Sequence, residues 1–291
     1  RAAAAAAAPR GPGGAGAGGK LAVLISGLKS RLVLNSTLER VVAPAVRLGY
    51  AVDLFLSLVE RGDGQAFRSS GLPDPGLAAR PPEEFRSFLE SAISGAGGTL
   101  RYYQHFDVQE PLDPLPASAV QLRYLYDYAP QESAVGRNVL RRWKSSEALW
   151  NQTLKTGTRY DYVLWEREDQ YWLRPLWLFN FPPGRQGAGS VFAKNCLGWG
   201  GINDKALLLG WEAAARLLTA YSAFWQPDER LSSRNAEQFL KSLALLRGVG
   251  VQKVPFAVLS SADATFAQTG RSSQPSLCIQ GFYSCKQELP Q

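Results

Sequence analysis

The chain has 291 residues, 45% of them hydrophobic and 11% aromatic, enough to bury the core of one sizeable α/β domain or two small ones. Its net charge of +7 is spread along the sequence apart from Arg141, Arg142 and Lys144. No nucleic-acid-binding motif accompanies that charge, which counts against nucleic acid as a partner and leaves phosphate-bearing ligands to suit it. No apolar run approaches the roughly 20 residues that a bilayer span requires.

Residues 1–19 contain only Ala, Gly, Pro and two Arg, with almost no apolar area to offset the entropy of ordering, and read as a disordered stem. The chain starts with Arg and has no Met, which places the initiator outside it and leaves room for an upstream membrane anchor. From Lys20 short apolar runs alternate with helical stretches, the pattern of βα units around a largely parallel sheet. Strands are expected at 21–26 and 52–58, with a helix over 31–48 between them. A Gly, Ser and Pro-rich loop over 61–82 leads to a short helix at 83–93, then to strands at 99–106 and 120–126.

An amphipathic helix over 133–155 feeds a strand beginning at Tyr160, and a further short strand covers 190–194. After the glycine turn at Gly198, Gly200 and Gly201, Asn203 or Asp204 caps a helix expected to run to Tyr221. Another helix spans 234–247 and a late strand 253–259. One domain over 20–262 and an irregular tail over 263–291 follow, with no internal repeat. Of the three cysteines, Cys278 and Cys285 either bridge a tail loop in an oxidising compartment, leaving Cys196 free, or all three are buried thiols.

Two segments carry chemistry. The strand from Tyr160 stops abruptly at Glu166, Arg167, Glu168 and Asp169, as a buried strand does when it delivers carboxylates into a cleft. On a strand, Glu166 and Glu168 share one face while Arg167 and Asp169 share the other. Such carboxylates suit a hard cation, Mg²⁺ or Mn²⁺, but also serve as solvated surface charges. In the second segment Gly200 and Gly201 allow close approach of a ligand to the backbone, Trp199 offers a flat face for a sugar, and Asp204 is placed to accept the proton of an attacking hydroxyl. A plain turn with a helix cap explains the same residues.

Tyr160, Asp161, Val163, Arg167 and Asp169 together resemble the nucleotide-sugar motif of GT-A-type glycosyltransferases, and Gly198 to Asp204 is similar to the acceptor-side loop of inverting galactosyltransferase-like enzymes. The resemblance implies a GT-A-like α/β fold, with a Rossmann-like, mostly parallel central sheet flanked by helices. It further implies transfer of a sugar from a nucleotide-sugar donor to a hydroxyl of a glycan or glycoconjugate acceptor, in the lumen of the Golgi or endoplasmic reticulum, with the cytoplasm as the alternative. A divalent cation, Mn²⁺ or Mg²⁺, would be held by Asp169 with Glu168 or Glu166, and Asp204 would be the base.

The chain departs from that motif in having Arg167 two residues before Asp169, where an acidic residue is expected; Glu166, Arg167, Glu168 is the other frame. Arg167 is itself able to neutralise phosphate charge through paired hydrogen bonds. At the turn after the first strand, Ser26, Gly27, Lys29 and Arg31 would meet the donor nucleotide, Asp53 being a weaker candidate for its ribose. Trp165, Tyr171 and Trp172 join Trp199 as aromatic candidates for the sugar site. A non-catalytic nucleotide-sugar or glycan-binding module of the same fold is the alternative function. His105 is the only histidine, and without a Gly-x-Ser-x-Gly elbow a hydrolase triad is set aside.

Overall fold

The computed structural model describes residues 18–61, 80–108, 112–113, 118–182, 185–267, 276–280 and 285. The expected stem, except for residues 18–19, and most of the 61–82 loop lie outside the described residues. The mixed α/β core is a seven-stranded sheet in the order β3-β2-β1-β4-β7-β6-β8. Its strands are β1 (Lys20–Leu28), β2 (Ala51–Arg61), β3 (Thr99–Val108), β4 (Tyr162–Arg167), β6 (Ser190–Lys194), β7 (Ala206–Gly210) and β8 (Gly250–Val254). Strands β1 to β4 run parallel, β6 and β8 are parallel to each other, and β7 is antiparallel to both β4 and β6.

Helices cover both faces, which explains why β1 is a continuous apolar run. Leu21, Val23 and Ile25 face one core with Val41, Val42, Phe85 and Leu89 from the helices that follow β1 and β2. Ala22 and Leu24 face the opposite core, with Leu140, Trp143 and Leu149 of the long helix Ala134–Lys155. Ser133 caps that helix by accepting from the Val135 and Gly136 amides, and Asn235 caps the helix Ala236–Leu246 by accepting from the Gln238 amide. Trp143 stacks on Phe239 at 4.6 Å, joining these two helices over the sheet.

Several expectations are corrected. The segment 120–126 is not a strand but two single 3₁₀ turns, Gln121–Arg123 and Tyr126–Tyr128, with one bridge from Tyr124 to Ser233. Its apolar residues plug the core instead: Tyr124 is buried edge-on against Phe224 and Phe239. The helix expected from Asn203 or Asp204 begins only at Trp211, because Ala206–Gly210 is the central strand β7. An apolar run buried on both faces carries no period by which helix and strand differ. The helix over 31–48 starts at Leu34 and passes through a wide π turn, Leu38–Val42, just ahead of Pro44, which has no amide to donate. The late strand ends before Pro255 rather than at Leu259.

The tail is not irregular where it is described. β9 (Ser261–Ala267) pairs antiparallel with β10 (Ser276–Gln280) and with β5 (Gln170–Trp172), a short strand directly after β4, forming a second, three-stranded sheet. The cysteine pairing also differs from expectation: Cys196 bonds Cys285, and Cys278 lies in β10. The bridge closes a separation of 89 residues, so its loss frees a long loop in the unfolded chain. The double variant Cys196→Ser/Cys285→Ser should lose about 2–4 kcal/mol in urea unfolding; an unchanged midpoint would assign the bridge no stabilising role.

Candidate functional site

β1 is the point at which the chain changes direction across the sheet. It pairs with β2 on one side and β4 on the other, and the connections leading to these strands pass over opposite faces. A crevice therefore opens beyond the carboxyl ends of β1 and β4, where Ser26 stands beside Arg167 in register. A cavity of about 310 Å³ occupies it. Ser26, Gly27, Leu28 and Arg31 form one wall, Arg167 and Glu168 the floor, Asn138, Arg141, Arg142 and Lys144 of the long helix a second wall, and Asp204, Lys205 and Glu237 the far side. Six cationic side chains thus face three carboxylates.

The floor is an ion network. Arg31 and Arg167 both donate to Oδ2 of Asp169, which is only 1% exposed and lies behind the cavity wall. Glu168 reaches the cavity beside Gly27: φ at Gly27 is +152°, and a Cβ there would stand 2.0 Å from Glu168 Oε2, so only glycine fits. Burial and the neighbouring Asp169 push the Glu168 carboxyl up, against the pull of Arg31 and Arg167. Behind them, Asp263 takes an ion pair from Lys205 and a 2.9 Å hydrogen bond from Gln170; burial opposes its ionisation, but Arg167 and Lys205 hold it well below the usual carboxylate range.

On the far side, Arg142 donates to Asp204 Oδ2 at 2.7 Å and to its backbone carbonyl, while its guanidinium lies 4.6 Å from the Trp165 ring. Burial pulls the Arg142 pKa down, with Asp204 resisting. Glu237, in the first turn of the helix Ala236–Leu246, is pushed up to about 7 by burial and by Asp204. The glycine loop docks on this turn: the Ile202 amide donates to the Glu237 carbonyl at 2.9 Å, and a Cβ on Gly201 would meet that carbonyl at 2.0 Å. Leu197 and Trp199 take left-handed backbone, φ 53° and 43°.

The structure brings Ser26, Gly27, Arg31, Arg167, Glu168 and Asp204 to one cavity. It places other candidates elsewhere. Lys29 is buried against Glu60 at 2.9 Å and the Arg80 carbonyl at 2.6 Å, with Glu60 also meeting His105. Glu166 points into the core, where Thr37 donates to one oxygen at 2.8 Å and the Trp172 indole to the other at 2.7 Å. Trp165 and Trp172 are accordingly core residues. Trp199, 64% exposed, sits outside the cavity lining, as do Gly200 and Gly201. Asp53 pairs with Arg101 and Tyr160 at the opposite end of the sheet.

Glu237 and Lys205 were missed. Nothing local marks Glu237 beyond a helix's first turn; its place depends on docking with a loop more than 30 residues upstream. Arg142, which makes the ion pair, stands in the one local cluster of basic residues, Arg141, Arg142 and Lys144, but nothing in the sequence links it to Asp204, 62 residues away.

A divalent cation at a diphosphate site is held by one or two carboxylates together with waters and phosphate oxygens. Of the three carboxylates expected to hold it, Asp169 and Glu166 are engaged by arginines and by the core, which leaves Glu168 as the acidic side chain at the cavity floor. Among the described residues, no group of three or more His, Cys, Asp or Glu side chains is arranged to hold a metal.

No protein-family model and no curated protein matches the sequence. Among solved structures, similar chains include the glycosyltransferase GlyE of Streptococcus pneumoniae TIGR4, at 14% identity and a TM-score of 0.39, covering 82% of this chain and 46% of GlyE. Mouse xyloside xylosyltransferase 1 is similar at 12% identity and a TM-score of 0.38, with 81% and 85% covered. PaToxG glycosyltransferase follows at 10% and 0.36, with 79% and 68% covered. All three neighbours are glycosyltransferases by name. The chain spans less than half the length of GlyE.

Glu166 gives a pH test. Burial raises its carboxyl from 4.5 to about 7, so the folded state holds the proton more tightly than the unfolded chain. Its contribution to stability is full below pH 4.5 and is lost as pH rises through about 7, and Glu237 acts in the same direction. Glu166→Gln mimics the protonated form: its carbonyl accepts from Trp172 and its amide donates to Thr37. Thermal unfolding should decline less for this variant than for the parent between pH 5 and pH 8, and parallel curves would rule out the shift.

Proposed function

We propose that this chain is a glycosyltransferase that moves a sugar, of the hexose class, from a nucleoside diphosphate donor to an acceptor hydroxyl on a glycan or glycoconjugate. The observation that carries this reading is the cavity where β1 and β4 part, with its cationic walls suited to a diphosphate and the Asp204 and Glu237 carboxylates on its far side. In the proposed step the acceptor oxygen bonds the anomeric carbon as the bond from that carbon to the phosphate oxygen breaks. The nucleoside diphosphate leaves with the electron pair, and the hydroxyl proton passes to the carboxylate pair. Attack from the side opposite the leaving group inverts the anomeric centre. Glu237, with a pKa near 7, is the better matched of the two to proton transfer at neutral pH, and Arg142 orients Asp204 beside it.

The Cys196–Cys285 bridge supports placement in an oxidising lumen, that of the endoplasmic reticulum or Golgi. Among the described residues no helix is long and apolar enough to cross a membrane. A second reading, a module that binds a nucleotide-sugar or glycan without turnover, is favoured by one observation: Asp204 and Asp169 are both already paired with arginine.

Transfer assayed with uridine- and guanosine-diphosphate sugars separates the two. Glu237→Gln should lower kcat about 100-fold or more with little change in thermal unfolding, and Asp204→Asn should lower it as far while also lowering stability, because the buried Arg142 loses its charged partner. Normal transfer in both variants would overturn the carboxylate assignment, and donor binding without transfer by the parent chain would favour the module.

A further inference from the structure

This inference rests on the reading that a nucleoside diphosphate occupies the cavity. We infer that Arg31, Arg142 and Arg167 receive the diphosphate directly, so that the site binds its nucleotide without a divalent cation.

The first support is where the positive charge lies. Arg31 comes from the turn after β1, Arg167 from the end of β4 and Arg142 from the long helix, so three guanidinium groups converge on one crevice from three separate elements. Each presents a planar fork matched to phosphate oxygens. A divalent cation at the floor would stand against this charge at low dielectric, with repulsion from Arg31 and Arg167 beside the one acidic group, Glu168, that faces the cavity there.

The second support is independent of charge. Among the cavity-lining residues, the Ser26 hydroxyl and Arg142 Nε are buried without a hydrogen-bond partner. Ser26 is 1% exposed and stands in register with Arg167. Buried donors without an acceptor are costly, and a small side-chain rotation would bring both to the acceptor oxygens of a ligand in the cavity. A diphosphate has such oxygens, and the long helix borders the same space along its side with Asn138, Arg142 and Ser145.

The roles of the acidic residues invert accordingly. Asp169 is the counter-ion that keeps two arginines side by side and correctly aimed, and the phosphates take the remaining attraction.

Calorimetric titration of the intact chain with uridine diphosphate and with guanosine diphosphate, in excess EDTA and in excess Mn²⁺, tests this. One of the two nucleotides should bind with dissociation constants within about threefold of each other in the two buffers, a gap below roughly 0.7 kcal/mol. Inorganic pyrophosphate should compete in EDTA. Arg31→Met should weaken binding about tenfold or more in both buffers, and circular dichroism checks that it folds. Binding seen only with Mn²⁺ overturns the inference and leaves the transferase reading intact. Binding in neither buffer overturns both, and the EDTA comparison on the parent chain stands even if the variant fails to fold.

Discussion

Asp169 sits between Arg31 and Arg167, and the arrangement of the whole cavity follows from that contact. A carboxylate this buried is tolerable only when paired, and its two partners come from the ends of neighbouring parallel strands. The backbone around it joins more of the fold. The Val33 amide donates to the Glu168 carbonyl and the Ala264 amide to the Asp169 carbonyl, each at 2.8 Å. A two-residue turn between β4 and β5 thereby fastens the first helix, the large sheet and the small sheet at one place. Replacing the acid would leave two guanidinium groups facing one another across a narrow floor.

Much of the fold was legible because it obeys simple periods. β1, β2 and β4 read as buried runs, the long helix reads as an amphipathic stripe, and a helix is expected over 234–247 where Ala236–Leu246 stands. β7 was not, since Ala206–Gly210 follows the cap-like Asn203 and Asp204 and runs directly into the helix Trp211–Leu217, with Gly210 the single residue that marks the boundary. β9 and β10 escaped for a different reason: their Ser, Asp, Gln and Cys residues build a small sheet whose register is set by β5, nearly a hundred residues away.

The site divides the same way. Residues delivered by the backbone at strand ends, Ser26, Gly27, Arg167 and Glu168, were placed from sequence, because a parallel strand fixes where its carboxyl end points. Residues whose role depends on a distant partner were not. Lys29 is two residues from Arg31 yet turns away to Glu60. Glu166 shares a strand face with Glu168 only until the strand ends, and the Trp172 indole then claims it for the core. Asp204 reaches the cavity as expected, but from a coil before a strand rather than as a helix cap.

The loop carrying Trp199 holds two non-glycine residues in left-handed backbone, each at a cost of roughly 1–2 kcal/mol. It keeps that shape because its carbonyls are gripped from one side: Asn235 and Gln238 donate to Trp199, and Lys241 to Gly200. The tension means that the outward indole is posed by a helix it does not belong to. Any event that slides that helix by a fraction of a turn would let the loop recoil, and the same slide would carry Glu237 off the cavity wall.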